Sequence, residues 1–251
     1  MVEVSRRENV ALVELAAGKA NALDGDICRE LRKCIASEGS TEAAGIVIAA
    51  KGAMFSAGID LLKAAQDTAS FADDFLPAMS ELLHTVWTLE KPVIAAVNGH
   101  AIAGGCLIVC AADWRILGSA SAKIGVPELK LGLPLPSLAF DILRAVVTPG
   151  RLAEVLYDGG TYAADAAIKV GLADEIVRPE DLISASIAKA AAWGAIHAPA
   201  FTLMKRRHRM IALAQSELEP GFDHKVQNVW RSREVQDGLQ RYASTQMKKN
   251  G

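Results

Sequence analysis

The sequence has few of the features that would place it in a specialised class of proteins. Its four cysteines, Cys28, Cys34, Cys106 and Cys110, include no C-x-x-C pair. We therefore expect reduced cysteines in an apolar core rather than a disulfide framework. No apolar run is long enough to cross a membrane, and the first residues lack the apolar core of a signal peptide, so we expect a cytoplasmic protein without membrane contact.

Strong charge is also missing. The formal net charge is −2 and the isoelectric point is near 6.2, so no basic field attracts nucleic acid and an anionic ligand must be held by local groups. The five histidines show neither metal-ligand spacing nor a nucleophile partner, so we expect no metal site. Hydrophobic residues make up 51% of the chain although aromatics make up only 5%, which favours buried subunit interfaces and hence a homo-oligomer.

Hydrophobic periodicity predicts an α/β fold in which strands and helices alternate. Strands are predicted at 10–15, 45–50, 93–97, 114–117 and 122–125. Helices are predicted from about residue 24 to 39 and at 70–88, 104–112, 137–147, 151–157, 163–170, 182–193, 199–215 and 232–247. A soft boundary at His197-Ala198-Pro199 divides an α/β body, residues 1–197, from a C-terminal helical region, residues 198–251.

Residues 93–113 form the stretch around which the chain is organised. A buried strand ends at the turn Asn98-Gly99, and Gly104-Gly105 then begin an apolar helix. The first amides of a helix lack intrahelical partners and lie at the positive end of its dipole, so they can stabilise an oxyanion. A tight packing corner between strand and helix is the alternative explanation of these glycines.

A second segment, Ser56-Ala57-Gly58, offers backbone donors at the end of another strand. If the fold brings this segment beside Ala103-Gly104-Gly105, two amides can hold one carbonyl oxygen as it becomes an enolate. Neither segment alone is specific for this chemistry.

The order and spacing of these motifs carry a resemblance to a known family. F-S-A-G-I-D-L at 55–61, P-V-I-A-A-V-N-G-H-A-I-A-G-G-C at 92–106 and I-G-V-P-E-L-K-L-G at 124–132 resemble the crotonase family, the enoyl-CoA hydratase/isomerase superfamily. The likeness continues through 160–177 into the C-terminal helices. It implies a ββα spiral with a C-terminal helical trimerisation region, a trimer or hexamer, an acyl-CoA substrate, and no cofactor beyond the CoA of that substrate.

The resemblance also implies roles for individual residues. The amides of Ala57 and Gly104 match the oxyanion hole, and Lys19, Ala20, Ala57, Gly58, Ile59 and Asp60 match segments that line CoA. Leu107, Leu133 and Pro134 are expected to border the acyl group. The basic run Lys205 to Arg209 is predicted to be a solvated helix face, with contact to the CoA phosphates as the alternative.

One departure from the family pattern bears on the reaction. Hydratases of the family carry a glutamate in the helix, in G-G-G-C-E-L, and a second in a P-E loop, whereas here Leu107 takes the helix position and only Glu128 remains. A single carboxylate can shuttle a proton between two carbons but cannot readily also position a water. The pattern resembles the Δ3,Δ2-enoyl-CoA isomerases, which act in fatty acid β-oxidation.

The resemblance makes Glu128 the predicted catalytic residue, and its immediate neighbours agree with that role. Its neighbours Val126, Pro127, Leu129 and Leu131 would desolvate a carboxylate, which raises its pKa and makes it a stronger base. A solvated loop glutamate is the alternative. Three functional alternatives stay open at this point: a hydratase, another acyl-CoA enzyme of the crotonase fold, and a non-catalytic RNA-binding homologue.

Overall fold

The computed structural model describes the backbone of residues 1–250 and the side chains of residues 1–245. Its strands are β1 Val2–Arg7, β2 Val10–Leu15, β3 Gly45–Ala50, β4 Met54–Ser56, β5 Val93–Val97, β6 His100–Ile102, β7 Trp114–Leu117, β8 Lys123–Gly125, β9 Tyr162–Ala163 and β10 Glu175–Ile176. Its α-helices are α1 Gly25–Gly39, α2 Leu61–Gln66, α3 Thr68–Thr88, α4 Gly104–Ala111, α5 Ser137–Val146, α6 Leu152–Tyr157, α7 Ala164–Val170, α8 Leu182–Gly194, α9 Ala198–Ser216, α10 Phe222–Trp230 and α11 Arg233–Asn250. Two short 3₁₀-helices, Glu128–Leu131 and Pro179–Asp181, complete the list.

The larger sheet has six strands in the order β1-β2-β3-β5-β7-β10. Its pairs are parallel except for the antiparallel hairpin of β1 and β2. Strands β3 and β5 are buried along their whole length, as expected when both faces of a parallel sheet are covered. Helix α8 packs on one face, and most of the apolar core lies on the other, beneath α1, α3 and α4.

The smaller sheet has four strands in the order β4-β6-β8-β9. Strands β4, β6 and β8 run parallel to one another, and β9 closes the edge in the antiparallel sense. Strand β4 follows β3, β6 follows β5 and β8 follows β7, so the chain passes three times from the large sheet into the small one. This repeated strand-strand-helix order confirms the predicted spiral architecture.

The differences from the sequence-based prediction have local causes. Strands β4 and β6 contain three residues each and lie in glycine-containing segments, so they show no periodicity of their own. Strand β1 was missed because five of its six residues are exposed. Helix α10 was missed as well, and the boundary between residues 197 and 198 stays a prediction.

The cysteine prediction is confirmed, since all four thiols are free and only Cys34 is partly exposed. In the described part of the chain, no helix combines the length and hydropathy needed to span a membrane.

The prediction that the basic run forms a solvated helix face is wrong for two of its five residues. Lys205 and Arg209 are buried and both pair with Asp113, at 2.6 and 2.8 Å. Burial lowers the pKa of Lys205 to about 8 and that of Arg209 to about 10. Arg209 also donates to the carbonyl oxygens of Trp87 and Ala111. These ion pairs and hydrogen bonds therefore attach α9 to the body of the fold. Lys205 and Arg209 are not available to the phosphates of a ligand.

Asp113 is expected to be important for stability because it neutralises two buried cations. Replacing it by Ala should lower the free energy of unfolding by about 3–5 kcal/mol, since an uncompensated buried charge remains. Urea denaturation measures this, with Asp181→Ala in the exposed pair with Arg178 as the matched control, expected within about 1 kcal/mol of wild type. Equal losses in the two variants would contradict the structural role of Asp113.

Candidate active site

Three segments of the chain meet where three neighbouring parallel strands end. Residues 57–60 follow β4, Ala103 follows β6, and Val126 to Glu128 follow β8. The carboxyl ends of parallel strands lie at one edge of a sheet, which is where α/β proteins bind ligands. A hydrogen bond from the amide of Ala103 to the carbonyl oxygen of Gly125, 2.8 Å, joins the second segment to the third.

The loop at 57–60 is fixed by hydrogen bonds to the segment at 20–23. The amide of Leu23 donates to the oxygen of Gly58 at 2.7 Å, and the amide of Asp60 donates to the oxygen of Leu23 at 2.8 Å. The amide of Ala57 donates to the oxygen of Ala20 at 2.9 Å. These bonds give the loop a defined backbone geometry before any ligand binds.

Two buried polar side chains support this loop, and no sequence pattern indicated their role. Asn21, at φ 45°, donates to the carbonyl oxygens of Lys51 and Met54 at 2.9 Å each. The hydroxyl of Ser56 donates to the oxygen of Asn21 at 2.8 Å and accepts from the amide of Gly58 at 3.1 Å. The two carbonyl groups that Asn21 binds lie 30 and 33 positions away in the sequence, so no local pattern could reveal the role of this side chain.

The hydrogen bonding of the loop corrects one predicted role. Ala57 cannot offer its amide to a ligand, because that amide already donates to Ala20. The amide of Ile59 lies between the two bonds to Leu23 and finds no acceptor among the described residues. Ile59, predicted only to line CoA, is therefore the loop's available donor.

Gly104 supplies a second available amide. It is the first residue of α4, so its N–H has no intrahelical partner, and no other acceptor is found for it in the part of the chain that the structure describes. Ala103 before it takes φ 54° and ψ −128°, a conformation that costs energy for a residue with a Cβ.

The two donor segments are in close contact. A Cβ added to Gly58 would lie 2.6 Å from the Cβ of Ala103 and 3.3 Å from the nitrogen of Gly104, so only glycine fits at position 58. The structure therefore brings the predicted segments together, with Ile59 in place of Ala57.

Glu128 faces this pair of segments from the third strand end. It begins the 3₁₀-helix Glu128–Leu131, which ends at Gly132 with φ 74°. Its side chain is buried, and its Oε2 has no hydrogen-bond partner among the described residues. Burial raises the pKa of this carboxyl to about 8, because the apolar surroundings disfavour the ionised form. The solvated loop glutamate is thereby excluded.

Two cavities meet at Glu128 and Ile59. The outer cavity, about 220 Å³, is lined by Ala57, Ile59, Leu61, Ile102, Ala103, Pro127, Glu128, Lys130, Leu131, Leu133 and Tyr242. The inner cavity, about 20 Å³, is lined by Ile59, Phe75, Leu76, Met79, Gly104, Leu107, Glu128, Pro134, Leu135, Pro136 and Trp230. Glu128 and Ile59 border both cavities, so a ligand bound where the cavities meet lies beside a carboxyl group and a backbone N–H donor.

The other predicted residues are distributed around these cavities. Leu107 and Pro134 border the inner cavity, and Leu133 borders the outer one. Ala20 contacts the loop through Ala57, whereas Lys19 is exposed and borders neither cavity. Asp60 caps helix α2 by accepting from the amides of Leu62 and Lys63. Among the described residues, no three His, Cys, Asp or Glu side chains are grouped to hold a metal ion.

Comparison with known proteins places this geometry in a family. The family described as enoyl-CoA hydratase/isomerase matches residues 5–249. A crotonyl-CoA hydratase of Syntrophomonas wolfei is 32% identical over 183 residues, 72% of this chain and 70% of that protein. A short-chain-enoyl-CoA hydratase of Clostridium acetobutylicum is 31% identical over 186 residues, 73% of this chain and 71% of that protein.

Solved structures agree with this assignment. The human mitochondrial Δ3,Δ2-enoyl-CoA isomerase superposes with a TM-score of 0.90 at 26% identity, covering 100% of this chain and 99% of the other. An enoyl-CoA isomerase of Mycobacterium tuberculosis superposes with a TM-score of 0.80 at 26% identity, covering 95% and 96%. The chain belongs to the enoyl-CoA hydratase/isomerase family and has the crotonase fold.

Proposed function

We propose that this protein is an isomerase that moves the double bond of a 3-enoyl-CoA to give the trans-2-enoyl-CoA, as fatty acid β-oxidation requires. One observation carries the proposal. Among the described residues, Glu128 is the only ionisable side chain that borders the inner cavity, and the helix position facing that cavity is Leu107. The site thus offers one proton acceptor and no second carboxylate.

The reaction follows from the positions of the donors and the base. The thioester oxygen is held by the amides of Ile59 and Gly104, which stabilise the negative charge that develops on it. Ionised Glu128 removes a proton from C2, and the electrons of that C–H bond form a dienolate. The protonated Glu128 then donates the same proton to C4, and the double bond re-forms between C2 and C3. Proton and charge balance without a further reactant, so CoA is needed only as part of the substrate.

A hydratase is the second candidate, because the two relatives named above carry hydratase names. Hydration adds water across the double bond, so one group must activate the water while a proton is delivered to carbon. Leu107 is apolar and 3% exposed, and it cannot perform either step. This favours isomerisation over hydration.

The non-catalytic RNA-binding alternative loses its main support. RNA binding would need exposed positive charge, and two cations of the basic run at 205–209 are buried in ion pairs with Asp113.

Assembly into a homotrimer or hexamer stays part of the proposal. It is supported by apolar side chains exposed on α9, namely Leu203, Met204 and Ile211.

The raised pKa of Glu128 predicts the pH dependence of the reaction. Only the ionised carboxylate can accept the C2 proton, so kcat/KM, which reports the free enzyme, should rise with pH through an apparent pKa of about 8. Steady-state kinetics between pH 6 and 9.5 test this. A profile that is already flat above pH 6 would contradict the buried, desolvated state of the base.

The proposed function is tested by offering two substrates to the same preparation. With 3-hexenoyl-CoA we expect the 2-enoyl product, and with 2-hexenoyl-CoA we expect hydration to be at least tenfold slower in kcat/KM. Hydration as fast as isomerisation, or faster, would favour the hydratase.

A further inference from the structure

The inner cavity is small for a fatty acyl chain. Its volume is about 20 Å³, whereas a single water needs about 10–15 Å³. The inner cavity is therefore only slightly larger than the space that one water fills. In the proposed complex the CoA arm occupies the larger outer cavity and the reacting carbons lie beside Glu128, so the acyl tail enters the inner cavity, which has room for only one or two carbon groups beyond them.

The wall of the inner cavity includes two aromatic side chains that are held in place. Phe75 and Trp230 are each 3% exposed, and their ring centroids lie 6.2 Å apart. The indole N–H of Trp230 donates to the carbonyl oxygen of Pro134 at 3.0 Å, which fixes the orientation of the ring. Phe71 also stacks on Phe75, with ring centroids 5.2 Å apart. A longer chain would have to displace a packed aromatic cluster.

A second hollow lies directly behind this cavity. It is a surface groove of about 160 Å³, which Pro77, Ser80, Asp223, Val226 and Gln227 line together with Leu76 and Pro136. Leu76 and Pro136 also line the inner cavity, so these two residues stand between the two spaces. Leu76 is 4% exposed and lies on α3, one residue after Phe75.

We propose that the acyl group accepted here is short, four to six carbons, and that Leu76 is the barrier that sets this length by closing the inner cavity off from the surface groove. This inference rests on the proposed function for the identity of the acyl-CoA substrate. Removal of the Leu76 side chain beyond Cβ would join the two spaces and give a longer tail a route to the protein surface.

The test measures binding as well as turnover, so that it does not depend on the isomerase activity. Calorimetric titration of butyryl-, hexanoyl-, decanoyl- and dodecanoyl-CoA gives a chain-length profile for wild type, Leu76→Ala and Leu83→Ala. Leu83 is the matched control, because it is a fully buried leucine on the same helix that lines neither space. Activity on 3-hexenoyl-CoA and 3-dodecenoyl-CoA is measured in parallel.

We expect wild type to bind the C4 and C6 ligands at least tenfold more tightly than C12. Leu76→Ala should reduce that ratio at least tenfold, whereas Leu83→Ala should leave it unchanged even though it also loses core packing. If Leu76→Ala does not fold, the proposal is still tested by the wild-type profile and by the milder variant Leu76→Val. Leu76→Val is expected to shift the ratio of short-chain to C12 affinity in the same direction. Wild type that binds C12 as tightly as C6, or a folded Leu76→Ala with an unchanged profile, would overturn it. Selective binding of short ligands without turnover of 3-hexenoyl-CoA would support the barrier and reject the isomerase.

Discussion

Glu128→Gln is expected to lower kcat for isomerisation by about 10²- to 10⁴-fold, the usual contribution of a positioned acid–base group. The amide keeps the shape and hydrogen-bonding capacity of the side chain but cannot accept the C2 proton and return it at C4. Wild-type Glu128 is buried with a pKa of about 8, so it is mostly uncharged in the free protein at pH 7, and a neutral amide should fit the same site. We therefore expect the variant to stay folded.

Two measurements separate this loss of chemistry from a loss of structure. Butyryl-CoA should bind to Glu128→Gln within about threefold of wild type, and thermal unfolding should remain cooperative. Glu217→Gln, an exposed glutamate at the end of α9, is the matched control and should retain full activity. A folded Glu128→Gln enzyme with wild-type turnover would show that another group is the base.

Removal of the Gly104 amide is expected to have an effect of comparable size. Gly104→Pro should reduce kcat about 10²- to 10³-fold, the cost observed when one oxyanion-hole donor is removed. Proline is well tolerated at the first position of a helix, where its missing N–H breaks no intrahelical bond. The change therefore removes the donor while it leaves the hydrogen bonding within α4 intact.

The matched control is Gly104→Ala, which adds a Cβ but keeps the amide. That Cβ would lie 3.1 Å from the Cδ1 of Leu23 and 3.6 Å from the Cε of Met79, so the ends of two flexible side chains need only shift slightly. We expect the alanine variant to retain at least a tenth of wild-type kcat. Equal losses in the two variants would attribute the effect to crowding and would contradict the role of the amide.

The parts of this structure that follow from local sequence were predicted well. Strands β2, β3 and β5 match their predicted limits residue for residue, because β3 and β5 are continuous apolar runs buried inside a sheet and β2 is interrupted only by Glu14. Glu128 was identified from its place in the P-E loop of the family pattern, with its apolar sequence neighbours as support, and the fold adds the burial that raises its pKa.

The remaining features depend on contacts between distant residues. The amides of Ala57 and Ile59 are equivalent in the sequence, and only the pairing of this loop with Ala20 and Leu23 decides which of the two is free. The burial of Lys205 and Arg209 depends in the same way on Asp113, which lies more than 90 residues earlier. No periodicity within a helix could have revealed a counter-charge on another element.

Assignment of the fold, likewise, does not decide the reaction. Members of this family carry both hydratase and isomerase names, and the chain has similarity to both kinds. The proposed isomerisation depends on one position of helix α4, where Leu107 borders the same inner cavity as Glu128. The fold is therefore compatible with either reaction, and only the residues of the site can distinguish isomerisation from hydration.

The central claim, that one carboxylate carries the proton from C2 to C4, is tested most directly by isotope transfer in a single turnover. Enzyme in excess is mixed with 3-hexenoyl-CoA that carries deuterium at both C2 positions, in ordinary water, and the 2-enoyl product is analysed by mass spectrometry and NMR. Transfer through Glu128 predicts product with deuterium at C4 as well as the deuterium left at C2. Isomer that carries no deuterium at C4, or a hydrated product in its place, would contradict that transfer.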